Sequence, residues 1–284
     1  MTAVGSVLAA ESDVTLSDRD LDRIVRLVYE RSGITLHRGK RALVVARLHR
    51  RLKAGGFTSF SKYVSHVEAD TSGEELSLLL DAIATNHTGF FREDEHFKFL
   101  RDQVLPPLVA AARRVRIWCA ACSTGQEPVS LAITVREALP EAQHGTIRLL
   151  ASDISTKALK IAAAGAYPMR TAAAVPRPLL KQYFERGLGT EDGKLRVSAH
   201  LRRGIEYRRL NLIEIDSINE SFDAVFCRNV MIYFDKAIQQ RVVSMLERHL
   251  APGGYLFIAH SESLNGLTHG LRWVAPAVYQ RRPA

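Results

Sequence analysis

The run Phe222-Asp-Ala-Val-Phe-Cys-Arg-Asn-Val-Met-Ile-Tyr-Phe234 constrains this chain most, because an apolar stretch stops abruptly at Cys227, Arg228 and Asn229. An apolar run bounded in this way reads as a buried strand of a parallel sheet. Open α/β sheets bind ligands at the carboxyl ends of their strands. Tyr233 follows closely enough to reach the same edge, so a polar turn and a phenol hydroxyl are expected to face one substrate.

With 284 residues, 46% of them hydrophobic, the chain can bury one large core or two modest ones, which excludes a disordered protein. Met1 to Ala10 lack a basic start and an apolar run, and no stretch approaches the ~18 apolar residues of a membrane span. Three cysteines without a secretory leader fit reduced thiols, so a cytoplasmic protein is expected. A formal charge of +9 raises nucleic acid, anionic lipid or an acidic protein as partners without choosing among them. Its distribution says more. Arg38, Lys40, Arg41, Arg47, Arg50, Arg51 and Lys53 fall in one stretch that contains no acid.

Residues 1–15 read as a loose tail and 16–85 as a small all-helical domain. Ser17 and Asp20 form a start like a capping box, after which Leu21, Ile24, Val25 and Val28 recur at helical spacing until Gly33. A second helix is predicted over Lys40–Lys53 with an almost purely basic polar face, and two more over Phe60–Ala69 and Gly73–Ala84. Residues 86–114 read as a linker and cofactor-covering segment, with a helix from Glu95 to Arg113. From Val115 the pattern alternates: strands at Val115–Ala121, Thr146–Ser152, Ile205–Leu210, Phe222–Phe226 and Gly254–Ala259, helices at Pro128–Leu139, Ser155–Ala164 and Lys236–Leu250, and a closing strand near Ala277–Arg281. Asp235 is placed to cap the last helix. Between Pro168 and Ile205 the rhythm breaks, and Leu195-Arg-Val197 beside Glu191-Asp-Gly193 suggests a β-hairpin inserted at about 177–204. That segment reads either as a docking module or as a surface excursion.

The turn Ala121-Cys-Ser-Thr-Gly125-Gln-Glu127 is built of small residues and opens a helix, as nucleotide-binding turns do, although a plain strand-to-helix turn has the same composition. The next strand ends in Ser152-Asp153, at the separation where an acid takes the ribose hydroxyls of a nucleoside cofactor. No phosphate cradle with its lysine is present, which argues against a nucleoside triphosphate. Asn86-His-Thr88-Gly-Phe-Phe-Arg92 puts polar donors on both sides of two aromatics; the alternative is a core anchor followed by a solvated charge. Cys119 and Cys122 form C-x-x-C without a second ligand pair, and read as small buried thiols. His260-Ser261-Glu262 holds the residue types of a catalytic triad but as chain neighbours, without a nucleophile elbow. Glu93, Asp94, Glu95 and His96 read as the start of a helix rather than metal ligands, so no metal is expected.

These segments in this order resemble the CheR family of chemotaxis receptor methyltransferases: NHTGFFR at 86–92, CSTGQEP at 122–128, ASDIS at 151–155, FDAVFCRNVMIYFD at 222–235 and LAPGGYLFIAHSESL at 250–264. The resemblance covers roughly residues 15–282. Gln126 departs from the pattern, since many relatives carry Glu there, but Glu127 remains. It implies an α/β, Rossmann-like S-adenosylmethionine-dependent methyltransferase domain with a small antiparallel β insertion, preceded by a small all-α N-terminal domain. The implied activity is methyl transfer from S-adenosylmethionine to receptor glutamates, with S-adenosylhomocysteine as the other product.

By the same resemblance the cofactor is held by Asn86, Thr88, Arg92, Glu127, Asp153, Asn211, Leu212, Asn229 and Val230. Asp153 would take the ribose, Asn211 and Leu212 flank the adenine, and Glu127 meet the cationic amino end of the methionine part. Arg92 and Tyr233 would act on the acceptor carboxylate, whereas Cys227 and Arg228 support the strand end. The implied partners are methyl-accepting chemotaxis receptors, reached by the basic stretch Arg38–Lys53, and in some members a peptide at the receptor C-terminus gripped by the hairpin. Membrane contact would come only through the receptor. The rival readings are a nucleic-acid methyltransferase and a non-catalytic S-adenosylmethionine-binding module. Against the first, the catalytic strand ends in CRNV rather than Asn-Pro-Pro-aromatic; against the second, Arg92 and Tyr233 are both present.

Overall fold

A computed structural model describes residues 15–84, 86–111, 114–214 and 218–283. The tail expected at residues 1–15 lies outside these but for Thr15. The chain forms two compact units, one comprising residues up to Val28 together with Leu36–Ile83, the other Tyr29–Thr35 together with Ala84 onward.

The first unit is helical. α1 (Asp18–Ser32), α2 (Arg41–Gly55), α3 (Phe60–Ala69) and α4 (Glu74–Ile83) bury Leu21 and Ile24; Val44, Leu48 and Leu52; Phe60, Tyr63 and Val64; and Leu79 and Leu80. These positions recur every three or four residues, the spacing that puts one stripe of each helix into a core. At the start of α1 the Ser17 hydroxyl accepts the Asp20 amide at 3.1 Å and donates to its carboxylate at 2.6 Å.

The second unit opens with α5 (Glu95–Phe99), which continues through a π-helical turn at Leu100–Val104 into α6 (Leu105–Ala110). Then follow β1 (Val115–Cys119), α7 (Gln126–Ala138), β2 (Ile147–Asp153), α8 (Thr156–Ala164), β3 (Ala166–Pro168), α9 (Arg177–Tyr183), β4 (Phe184–Arg186), β5 (Lys194–Val197), α10 (Ala199–Arg202) and β6 (Ile205–Arg209). The chain ends with β7 (Phe222–Phe226), α11 (Lys236–His249), β8 (Leu250–Phe257), β9 (Arg272–Ala275) and β10 (Val278–Gln280).

Seven strands form one sheet in the order β6-β2-β1-β7-β8-β10-β9, and β3, β5 and β4 a separate antiparallel sheet. The first five strands run parallel and β10 pairs antiparallel with both β8 and β9. The small sheet thus draws on Ala166–Pro168, ahead of the hairpin whose turn spans Gly187–Gly193. From β1 the chain steps outward to β2 and β6, then returns to the other side of β1 at β7, so strand order reverses between β1 and β7. Ligands of open α/β sheets bind at that reversal.

Both faces of the sheet are covered. One cluster contains Ile117, Cys119, Phe226 and Phe257 with α5 to α7, and the other Trp118, Leu150, Phe222 and Val225 with α11. β7 is buried at all five positions, as an apolar run without alternation requires. The Asp235 carboxylate caps α11 through the Ile238 amide at 2.9 Å and also accepts the Tyr29 hydroxyl at 2.7 Å.

Candidate functional site

The loops after β1, β2 and β7 meet the segment Asn86–Glu93 at the carboxyl ends of the strands. In the β1 loop, Gly125 takes φ +97°, and a Cβ there would stand 2.7 Å from that of Ala162 and 2.8 Å from the Tyr167 hydroxyl. Only glycine lets this turn lie so close to α8. Asp153, buried at the end of β2, accepts the Ser123 amide at 2.8 Å on one carboxylate oxygen and the Ser155 amide at 2.8 Å on the other. The Ser123 hydroxyl stands 3.4 Å from the Asn86 side-chain oxygen, so Asn86, the β1 loop and Asp153 form one group.

A second group is organised by Arg228, whose side chain is fully buried. Its guanidinium donates to Glu127 at 2.8 Å, lies 3.0 Å from Glu93 and donates to the Arg92 carbonyl at 2.6 Å. Burial works against this charge and Glu127, followed by Glu93, favours it, with the net result that Arg228 is held above its ordinary value. The fork therefore ties the end of β7 to α7 and to the Arg92 segment, the supporting role expected of it. Glu127, expected to meet a cofactor ammonium, is engaged here by Arg228 on one oxygen and by the Cys119 thiol at 3.2 Å on the other.

Phe90 and Phe91 divide the two readings of NHTGFFR between them. Phe90 is a core anchor, edge-on to Tyr167 and Phe184. The Phe91 amide donates to the Ser130 hydroxyl on α7 at 3.0 Å, which leaves the half-buried Arg92 at the sheet edge with its guanidinium 3.3 Å from the His87 carbonyl. Phe91, Glu93, Ser123 and Asn229 all take left-handed φ between 50° and 57°. For residues other than glycine this conformation costs about 1–2 kcal/mol each. Its concentration in these loops marks them as shaped for a ligand.

The remaining expected residues lie at the same sheet end. Leu210, just after β6, donates its amide to the Asp153 carbonyl at 3.1 Å, which sets Asn211 and Leu212 beside the β2 terminus. The Asn211 side chain donates to the Arg31 carbonyl at 2.8 Å, and Leu212 is buried in the core. Asn229, Val230 and Tyr233 lie in the turn after β7, the last two partly buried against the α11-side cluster. Thr88 is half-buried.

Sequence reasoning set Glu262 aside, and the structure brings it into the site. Its carboxylate accepts the amides of Met231 and Ala259 at 2.8 Å and of Asn229 at 3.1 Å. No local pattern announces this, because its partners on the β7 turn lie some thirty residues away. Glu93, His96 and His260 gather within 4.8 Å of one another, but Arg228 takes the Glu93 oxygen that faces His96, and a guanidinium opposes a cation. Cys119, Cys122 and Cys227 are buried free thiols, and burial pushes all three well above the ordinary thiol range, so thiolate chemistry is disfavoured.

The donor set suits a particular ligand. Carboxylates of Asp153 and Glu127 with neutral amides and hydroxyls of Asn86, Thr88 and Asn229 suit a hydroxyl-bearing, cationic nucleoside, and an anionic phosphate there would meet two acids. A sheet of this order with that set at its point of reversal defines an S-adenosylmethionine-dependent methyltransferase. The family description "CheR methyltransferase, SAM binding domain" matches residues 86–279, and "CheR methyltransferase, all-alpha domain" matches 19–84. The chain belongs to the CheR methyltransferase family, and its cofactor is S-adenosylmethionine. It is 40% identical to chemotaxis protein methyltransferase 2 of Pseudomonas aeruginosa over 279 residues, 98% of each chain. It is likewise 40% identical to the chemotaxis protein methyltransferase of Salmonella typhimurium, over 94% of this chain and 91% of that one.

Of the basic stretch, Arg38 pairs with Asp22 at 2.7 Å, Arg41 with Asp18 and the Leu16 carbonyl, Arg47 with the Ile83 carbonyl, and Arg51 with Glu75 through two bonds of 2.6 and 2.5 Å. The face expected to be almost purely basic is therefore partly neutralised by acids of α1 and α4. Lys40, Arg50 and Lys53 are exposed.

Proposed function

We propose that this protein transfers the methyl group of S-adenosylmethionine to glutamate side chains of chemotaxis receptors, giving methyl esters. The observation that carries this reading is the Arg228 fork, which binds the turn bearing Tyr233 to the segment bearing Arg92 at the sheet edge that also presents Asp153. When bound, S-adenosylmethionine supplies a methyl group on a sulfonium centre. Asp153 would hold the ribose hydroxyls, and Asn86, Thr88, Asn229 and Val230 would line the same ligand. Asn211 and Leu212 would flank the adenine, and Glu127, already paired with Arg228, would present an acceptor to the amino group.

An acceptor glutamate with an ordinary pKa near ~4.3 is ionised at neutral pH, so no general base is needed. What remains for the chain is orientation, which in well-aligned reactions supplies roughly 7–11 kcal/mol. Arg92 and Tyr233 carry the groups for it: a guanidinium to steer the carboxylate and a phenol to fix one of its oxygens. Tight ion pairing would blunt the nucleophile, so we assign Arg92 an orienting role. Lys40, Arg50 and Lys53 would steer the helical unit toward the anionic methylation helices of a receptor.

Incubating the protein with labelled S-adenosylmethionine and receptor-containing membranes, and separately with nucleic acid, tests the proposal. Base-labile label on receptor alone is expected. Label on nucleic acid, or none anywhere despite cofactor binding, would refute it in favour of one of the rivals.

A further inference from the structure

We infer that Glu262 is a positioning residue for methyl transfer, acting by holding the turn Asn229–Tyr233 in the shape that presents Tyr233 to the acceptor. The inference rests on the role proposed for Tyr233. Among the described residues no lysine, arginine or histidine is paired with this carboxylate; backbone amides surround it instead. Met231 and Ala259 donate at 2.8 Å, Asn229 at 3.1 Å and Ile232 at 3.4 Å. One oxygen serves Asn229 and Ala259 and the other Met231 and Ile232, so a single side chain joins the end of the β8 segment to both halves of the turn.

Other hydrogen bonds hold the turn through its carbonyls. Its own backbone contributes the Tyr233 amide to the Val230 carbonyl and the Phe234 amide to the Met231 carbonyl, each at 3.1 Å. The Gln239 side chain donates to the Met231 carbonyl at 2.9 Å and the Thr35 amide to the Tyr233 carbonyl at 2.8 Å, so the carbonyl side is anchored from α11 and from the segment Tyr29–Thr35 of the same unit. The amides of Asn229, Met231 and Ile232 go to Glu262. Asn229 is held at φ +57° directly after the strand, and the charge-assisted bond to its amide compensates for that conformation. Burial raises the Glu262 carboxyl above its ordinary value, and the four backbone amides oppose that rise without cancelling it.

Glu262→Gln keeps the shape but turns an NH2 group toward amides that need an acceptor. With receptor membranes as substrate, kcat is expected to fall about 10- to 100-fold, the rate equivalent of losing charge-assisted hydrogen bonds. S-adenosylhomocysteine affinity, measured by calorimetry, should change by a smaller factor. In a Tyr233→Phe background the same substitution should lower kcat less than about threefold, because the group it positions is already gone. An unchanged kcat, a loss confined to cofactor affinity, or full additivity with Tyr233→Phe would each overturn the inference. Hydrogen exchange on the unsubstituted protein tests it without a variant and without a substrate. Met231 and Ile232 open the short 3-10 turn Met231–Tyr233; their amides and that of Asn229 should exchange slowly, and free exchange there would overturn it even if Glu262→Gln failed to fold. Absence of receptor methylation by the unsubstituted protein would instead strike the proposed function, leaving the exchange result to judge the carboxylate's hold on the turn.

Discussion

At the scale of single residues, the site separates groups by what already occupies them. Both oxygens of Asp153 are set by backbone amides of two different loops, so its orientation is fixed before any ligand arrives. Asp153→Ala should therefore weaken S-adenosylhomocysteine binding about 10- to 100-fold by calorimetry, the range for lost hydrogen bonds to a charged group; unchanged affinity would remove it from the cofactor site. Arg92→Ala and Tyr233→Phe should behave oppositely, lowering turnover more than they alter cofactor affinity. His96 gives a prediction about pH. Its ring is buried, both ring nitrogens lack a hydrogen-bond partner, and burial first, with Arg228 and His260 adding, pulls its pKa down to about 4 against the opposing Glu93. The unfolded chain takes up a proton near pH ~6.5 while the native ring refuses it, so stability is full above that pH and is lost as pH falls toward 4, by on the order of 3 kcal/mol. Urea unfolding between pH 7 and 4.5 should show this slope, and His96→Phe should flatten it.

At the scale of elements, the parallel strands place the loops and the buried Arg228 locks them. Glu127 and Glu93 come from α7 and from the segment ahead of α5, elements that local sequence does not relate to β7. Arg228→Met would leave two acids beside the core without their partner, and removing one member of a buried ion network costs about 3–5 kcal/mol. Thermal unfolding should report that loss, accompanied by weaker turnover because the Arg92 carbonyl is released. α2 behaves in the same manner within the helical unit. Arg51 meets a Glu75 only 7% exposed, so Arg51→Glu should destabilise the unit rather than probe a surface.

At the scale of the whole molecule, a charge of +9 acts through whichever cations remain unpaired. Arg50→Glu with Lys53→Glu should slow receptor methylation severalfold at low salt, the difference shrinking as salt is added, while S-adenosylhomocysteine affinity stays unchanged. Equal rates at low salt would remove α2 from receptor docking. The order of the elements was readable in the chain: an apolar run stopping at polar residues marked β7, strands alternating with helices marked β1 and β2, and Asp235 was readable as the cap of α11. The edge strand β9, whose Trp273 is 61% exposed, carried no such signature. Of the candidate site, the position of Asp153 at a strand end was legible, whereas its amide partners and those of Arg228 were not.

What the chain alone determined is what short-range physics decides: which segments are helix or strand, where each ends, and which residue types stand at strand ends. Periodicity, capping and turn conformations act over a few residues, so a linear reading captures them. Tertiary structure alone decided which charges survive and which carboxylate does which task. Arg38, Arg41, Arg47 and Arg51 lost their freedom to acids and carbonyls of neighbouring helices, and Glu262, unremarkable among its chain neighbours, became the acceptor for a turn on another strand. Pairing of charges and of buried amides is settled by distance in space, and that distance exists only once the sheet has brought the ends of β1, β2, β7 and β8 side by side.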